Sequence, residues 1–126
     1  MPVNELSWPP RNYTTMKKSN INFVVGLDAQ NIPDKITWEA TDQTTDGPSD
    51  TRAISLSIWD HHEKNTLRID LWTKEMTVEE MKQFCITAIG GLAQTVLNAT
   101  GDTVMAEEMD QLCNRLVKHV EKEHGE

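Results

Sequence analysis

Between Asn65 and Met81 the chain reads NTLRIDLWTKEMTVEEM, and this stretch changes period in the middle. Leu67, Ile69 and Leu71 alternate with Arg68, Asp70 and Trp72, the two-residue period of a strand with one face covered. Five residues later the pattern is that of a helix start. The Thr77 hydroxyl is placed to cap the amide of Glu80, and the Glu80 carboxylate to reach back to the Thr77 amide. Met76 and Met81 take the positions of a hydrophobic staple. A strand that feeds a helix over so short a link commits the chain to mixed α and β structure.

Three more segments alternate in the same way. In Ile21–Leu27, the residues Ile21, Phe23, Val25 and Leu27 share a face. In Lys35–Thr41, Ile36, Trp38 and Ala40 lie opposite Lys35, Thr37 and Glu39. In Arg52–Trp59, Ile54, Leu56 and Ile58 point inward. The fourth strand is Thr66–Thr73. The Asp28–Asp34 link predicts a hairpin, residues 42–50 with Gly47-Pro48 predict a loop, and Asp60–Asn65 predicts a polar hairpin turn. Clean alternation throughout favours antiparallel pairing over a parallel sheet, whose strands read as continuous apolar runs.

Two helical stripes follow. Val78, Met81, Phe84, Cys85, Ala88, Ile89, Leu92, Val96 and Leu97 recur at helical spacing to about Asn98. Met105, Met109, Leu112, Cys113, Leu116, Val117 and Val120 do so up to about Lys122. Gly101 stands where a C-terminal cap belongs, with Asp102 or Thr103 placed to cap the second helix. The expected fold is α+β, in the order ββββαα: a four-stranded antiparallel sheet with two C-terminal antiparallel helices packed on one face. Residues 1–18, with Pro9-Pro10 and no period, are expected to be a flexible tail, and residues 19–124 a single domain. Gly90-Gly91 inside the first helix predicts close approach of another backbone or a kink, with a hinge or notch as the sharper reading.

Composition excludes several functions. The chain has 126 residues, 20 acidic against 12 basic side chains and a formal charge of −8. That balance opposes binding to nucleic acid or to anionic lipid. No apolar run reaches the ~18 residues of a membrane span, and the first fifteen residues lack the pattern of a secretory signal, so neither membrane insertion nor export is expected. Cys85 and Cys113 are expected to be small buried hydrophobes.

Catalytic patterns are missing from the sequence. There is no GxSxG elbow, phosphate-binding glycine loop or CxxC pair. His61-His62-Glu63 is the nearest approach to a metal motif, but adjacent side chains diverge and too few ligands are in reach. The acids at the helix starts, Glu79-Glu80 and Glu107-Glu108 with Asp110, suit the helix dipole. No catalytic, metal-binding or cofactor-binding residue is assigned, and the chain is expected not to be an enzyme.

The register left open by the core gives a different kind of site. Pairing Ile58 with Leu67, Leu56 with Ile69 and Ile54 with Leu71 sets Ser57 against Arg68, Ser55 against Asp70 and Ala53 against Trp72 on the outward face. An ion pair is the plain explanation of Arg68 and Asp70. Exposed tryptophan flanked by arginine is also common in interface cores. Arg68, Asp70 and Trp72, with Trp59 at the hairpin end, are therefore the candidate binding residues. The alternative is local cover of that face by a loop or by the segment holding Trp8.

These residues also carry a family likeness. Ser19–Asp28, ITWEATD from Ile36 to Asp42, Ser57–Asp60, NTLRIDLWTKEMTVEEMK from Asn65 to Lys82, and Ala99–Asp102 with Met105-Ala106 resemble the gliding-motility protein GldC family of Bacteroidetes-type bacteria. The likeness runs from about Met16 to Val120, with Asn65–Lys82 as its specific part. It implies a small cytoplasmic accessory of gliding motility, linked to type IX secretion, whose partner is a protein of that machinery. Self-association as a dimer or tetramer is also compatible with it. Residues 1–15 and Gly90-Gly91 depart from the family's pattern. The ββββαα order and acidic charge are similar to the SecB type of export chaperone, a likeness of fold alone. It gives the rival reading, a holder of unfolded clients.

Overall fold

The structure, a computed structural model, describes residues 17–43 and 47–125. Its elements are β1 (Ile21–Leu27), β2 (Pro33–Ala40), β3 (Ser49–Thr51), β4 (Ala53–Asp60), β5 (Asn65–Trp72), α1 (Val78–Thr100) and α2 (Thr103–Gly125). The chain divides into two compact units, Met1–Thr73 with the strands and Lys74–Glu126 with the helices. The α+β class and the pair of C-terminal helices are as expected. The expected tail falls almost wholly outside the described residues, and so does Trp8.

The single four-stranded sheet is corrected. β1, β2 and β3 form one antiparallel sheet, and β4 and β5 form a second. The strand expected over Arg52–Trp59 is β4, and a short extra strand, β3, precedes the break at Arg52 where the end of a loop was expected. Before the break, Ser49–Thr51 pairs with Trp38, Thr37 and Ile36 of β2. After it, Ala53–Asp60 pairs with β5. Alternation reports only which side chains share a face. It carries no sign of a change of partner when one residue steps out of the ladder.

The hairpin links follow local chemistry. Between β1 and β2, the Asp28 carboxylate accepts from the amides of Gln30 (2.8 Å) and Ile32 (3.0 Å), and Asn31 sits at φ 64°. Asparagine tolerates that left-handed conformation better than most residues. Between β4 and β5, the Asp60 carboxylate accepts from the amides of His62 and Glu63, and Lys64 closes the turn at φ 59°.

Few of the described side chains of the strand unit are fully buried. Ile36, Ala53 and Thr73 are, and all three belong to the corner where the sheets change over. Ile36 pairs with Thr51, Ala53 follows Arg52, and the Thr73 amide donates to the Arg52 carbonyl at 2.8 Å. The stripe expected to point into a core is more open: Ile58, Leu67 and Ile69 are each about half exposed, and Leu27 and Ile21 more so.

The helix unit is an antiparallel hairpin of two 23-residue helices. Both bonds of the capping box are present: Glu80 N–H donates to the Thr77 hydroxyl at 3.0 Å, and Thr77 N–H to the Glu80 carboxylate at 3.4 Å. Gly101 ends α1 at φ 73° and donates to the Leu97 carbonyl, a left-handed cap that glycine adopts without steric cost. Asp102, not Thr103, caps α2 by accepting from Met105 N–H at 2.9 Å. The far ends are tied by Lys82 to Glu123 at 2.8 Å and by Glu79 to His124 at 3.2 Å. Ala93 and Ala106 are the fully buried helix residues.

Gly90 and Gly91 do not mark a close backbone approach. A β-carbon at Gly90 would stand 4.0 Å from the Cys113 sulfur, ordinary contact, and one at Gly91 would meet nothing within 4 Å. Cys113 is half-buried with its thiol 3.6 Å from the Ile86 carbonyl. Cys85, expected to be buried, is exposed. Val78, Leu92 and Leu97 of the same stripe are exposed as well, so a cysteine on it does not have to be enclosed.

Candidate functional site

The β4–β5 hairpin brings all four candidate residues onto one face. Its register pairs Ser57 with Arg68, Ser55 with Asp70 and Ala53 with Trp72, as the core pattern requires. One extended strand places Arg68 and Asp70 two residues apart on the same side. Trp59 pairs with Thr66 near the turn. It stands at the opposite end of the ladder from Trp72.

The polar centre is closely connected. Arg68 Nη2 lies 2.7 Å from Asp70 Oδ1, and Nε lies 3.2 Å from Oδ2, a two-point contact between guanidinium and carboxylate. Arg68 Nη1 donates to the Ser57 hydroxyl at 2.8 Å, and Nη2 to the Ser55 hydroxyl at 2.7 Å. Ser55 in turn donates to Asp70 Oδ1 at 2.6 Å. The two serines were read from the sequence as plain outward residues. The structure makes them the bracket that fixes the guanidinium. Their signal was already in the register, which puts each hydroxyl directly across from a charged partner.

The network is open to solvent, with side-chain exposures of 49% for Arg68 and 41% for Asp70. The Arg68 hydrogen bonds, then that of Ser55, hold the Asp70 carboxyl below its ordinary pKa. As a plain ion pair in water it adds little stability. What it does is hold a charged pair in one geometry on an exposed face, beside Trp72 at 52% and Trp59 at 61% exposure. Such a face can bind by stacking, apolar contact and charge pairing.

The histidine loop behaves differently from its expectation. The rings of His61 and His62 do not diverge but tilt against each other with centroids 3.9 Å apart. The Asp60-capped turn folds the backbone enough to bring neighbours together. Among the described residues no three His, Cys, Asp or Glu side chains group as metal ligands would. Among the same residues no helix is long and apolar enough to cross a membrane.

The described part of this face lies inside a stretch that matches the model of a known family, "Gliding motility-associated protein GldC-like", over residues 33–122. The chain belongs to the GldC-like family. The matched stretch runs from β2 through most of α2 and includes Trp59, Arg68, Asp70 and Trp72, while β1 precedes it. No curated protein matches the chain. No solved structure matches it either. Membership associates the chain with gliding motility and assigns no residue a role.

Proposed function

We propose that this GldC-like protein is a non-enzymatic accessory of the gliding machinery that acts by binding another protein through the open face of the β4–β5 hairpin. The observation that carries the reading is the joint placement of Arg68, Asp70, Ser55 and Ser57 beside exposed Trp72. A guanidinium held by three partners has lost much of its rotamer freedom before any partner arrives, which lowers the entropy cost of docking. Tryptophan and arginine are the residues most often found at the energetic centre of an interface. The partner is a protein of the gliding or type IX secretion machinery, and the site of action the cytoplasm. The acidic balance suits a partner surface rich in Lys and Arg.

Crosslinking and capture from the native cell tests the reading, with Trp72→Ala and Trp59→Ala compared against the unmodified chain. Loss of specific captured proteins is expected from Trp72→Ala. An identical set of captured proteins from both variants would sink the proposal.

A second reading follows from the half-exposed apolar stripe of Ile58, Leu67 and Ile69. That stripe could hold unfolded clients in the manner of an export chaperone. It requires the purified protein to suppress aggregation of a denatured client in proportion to its concentration, and failure to do so removes it.

A further inference from the structure

β5 ends its sheet. The ladder consists of β4 and β5 alone, so one edge of β5 runs alongside no other strand of the described residues. An eight-residue edge of this kind, without proline or bulge, is a template for another strand.

The direction of its backbone groups follows from one bond. Thr73 N–H donates to the Arg52 carbonyl, and the β4–β5 register continues that pair without a shift. Bonded and non-bonded pairs alternate along an antiparallel ladder. Leu67, Ile69 and Leu71 therefore turn their backbone groups toward β4. Thr66, Arg68, Asp70 and Trp72 turn theirs toward the outer edge.

We infer that this edge pairs with β5 of a second copy of the chain, antiparallel, about a two-fold axis at Ile69. Only residues of the outward-turned set can form bonded pairs there. The axis at Ile69 sets Arg68 opposite Asp70 of the second copy, Asp70 opposite Arg68, and Thr66 opposite Trp72. Ile69 meets its own counterpart, and Leu67 meets Leu71, as the closer non-bonded pairs. The apolar stripe then runs unbroken across both copies, and the polar face carries four charges of alternating sign.

Neighbouring registers fail on charge or geometry. An axis at Arg68 puts guanidinium against guanidinium, and one at Asp70 puts carboxylate against carboxylate. An axis at Leu71 sets Arg68 against Lys74. An axis at Leu67 runs the ladder into the turn at Lys64, whose φ is 59°. An isologous interface needs a self-complementary patch, and the strand is self-complementary in one register. β1 also ends a sheet, but its sequence INFVVGL has no charge to choose among registers.

The inference goes beyond the proposed partner surface and is read on the pure protein. The full chain is examined by light scattering and native mass spectrometry, with circular dichroism as the fold control. The unmodified chain should be a dimer. Arg68→Asp and Asp70→Arg should each weaken dimerisation by about tenfold or more, because both symmetric pairs become repulsive. Mixed together, these two variants should regain a dimer that contains one of each, although each keeps like charges within its own strand. The double variant R68D/D70R should dimerise with itself, and it serves if a single variant does not fold. A monomeric unmodified chain, single variants that dimerise like it, or a mixture that stays monomeric would each overturn the inference. Capture of cellular partners through Trp72 is a separate measurement and does not depend on this result.

Discussion

The Asp70 carboxyl titrates below the ordinary aspartate range because the Arg68 guanidinium and the Ser55 hydroxyl both donate to its charged form. The sign of the pH effect follows. The folded-state pKa is lowered, so the stabilisation is fully present above the unfolded value. It is lost as pH falls through the folded value. A carbon-detected NMR titration should find the Asp70 midpoint below that of ordinary aspartates, and Arg68→Gln should return it toward them. Thr73 presents the opposite situation. Its hydroxyl is buried, and it has no hydrogen-bond partner among the described residues. An unmade bond of that kind costs about 1 kcal/mol or more. Thr73→Val keeps the shape and removes the orphan, so it should raise the unfolding free energy by about 1 kcal/mol in denaturant melts.

Among the elements, what was legible in the sequence is what depends on neighbours in the chain. β1 and the start of α1 fall where the alternation and the capping box place them, and the β4–β5 register follows from pairing core residues with core residues. The short strand Ser49–Thr51 was not legible, because its residues are polar, carry no apolar alternation and begin in the segment that reads as a loop. The serine bracket was half legible: the register placed Ser55 and Ser57 opposite Asp70 and Arg68, but which donors would reach which acceptors depends on rotamers. Gly91 shows the limit from the other side. A glycine inside a helix suggests crowding, yet no atom crowds it. Gly91→Ala should therefore stabilise the helix unit by about 0.5–1 kcal/mol, whereas Thr77→Ala, which removes the cap, should cost about 1 kcal/mol. Thermal melts of the two variants should move in opposite directions.

At the scale of the molecule, the notable quantity is how little of the apolar surface of the described residues is covered. Four apolar residues are fully buried among those described, while many large ones on strands and helices remain open. A chain that folds this way gains stability by covering those surfaces against something else. If that something is a second copy, the melting temperature should rise with protein concentration, and a dilution series in scanning calorimetry would show it. A melting temperature independent of concentration would instead point to a different protein as the cover. The GldC-like family assignment fits such a component of a larger machine, and the acidic charge of −8 keeps the uncovered chain from collapsing onto its neighbours.

The two tryptophans exposed among the described residues stand six pairs apart on one hairpin, about 20 Å at the usual rise per residue. One lies near the turn and the other at the strand's exit toward the helices. Nothing needs to be attached to the protein to watch it work. The change in emission lost when Trp59 or Trp72 is replaced by phenylalanine, with Trp8 and Trp38 as the common background, would tell which end of the hairpin a visitor touches.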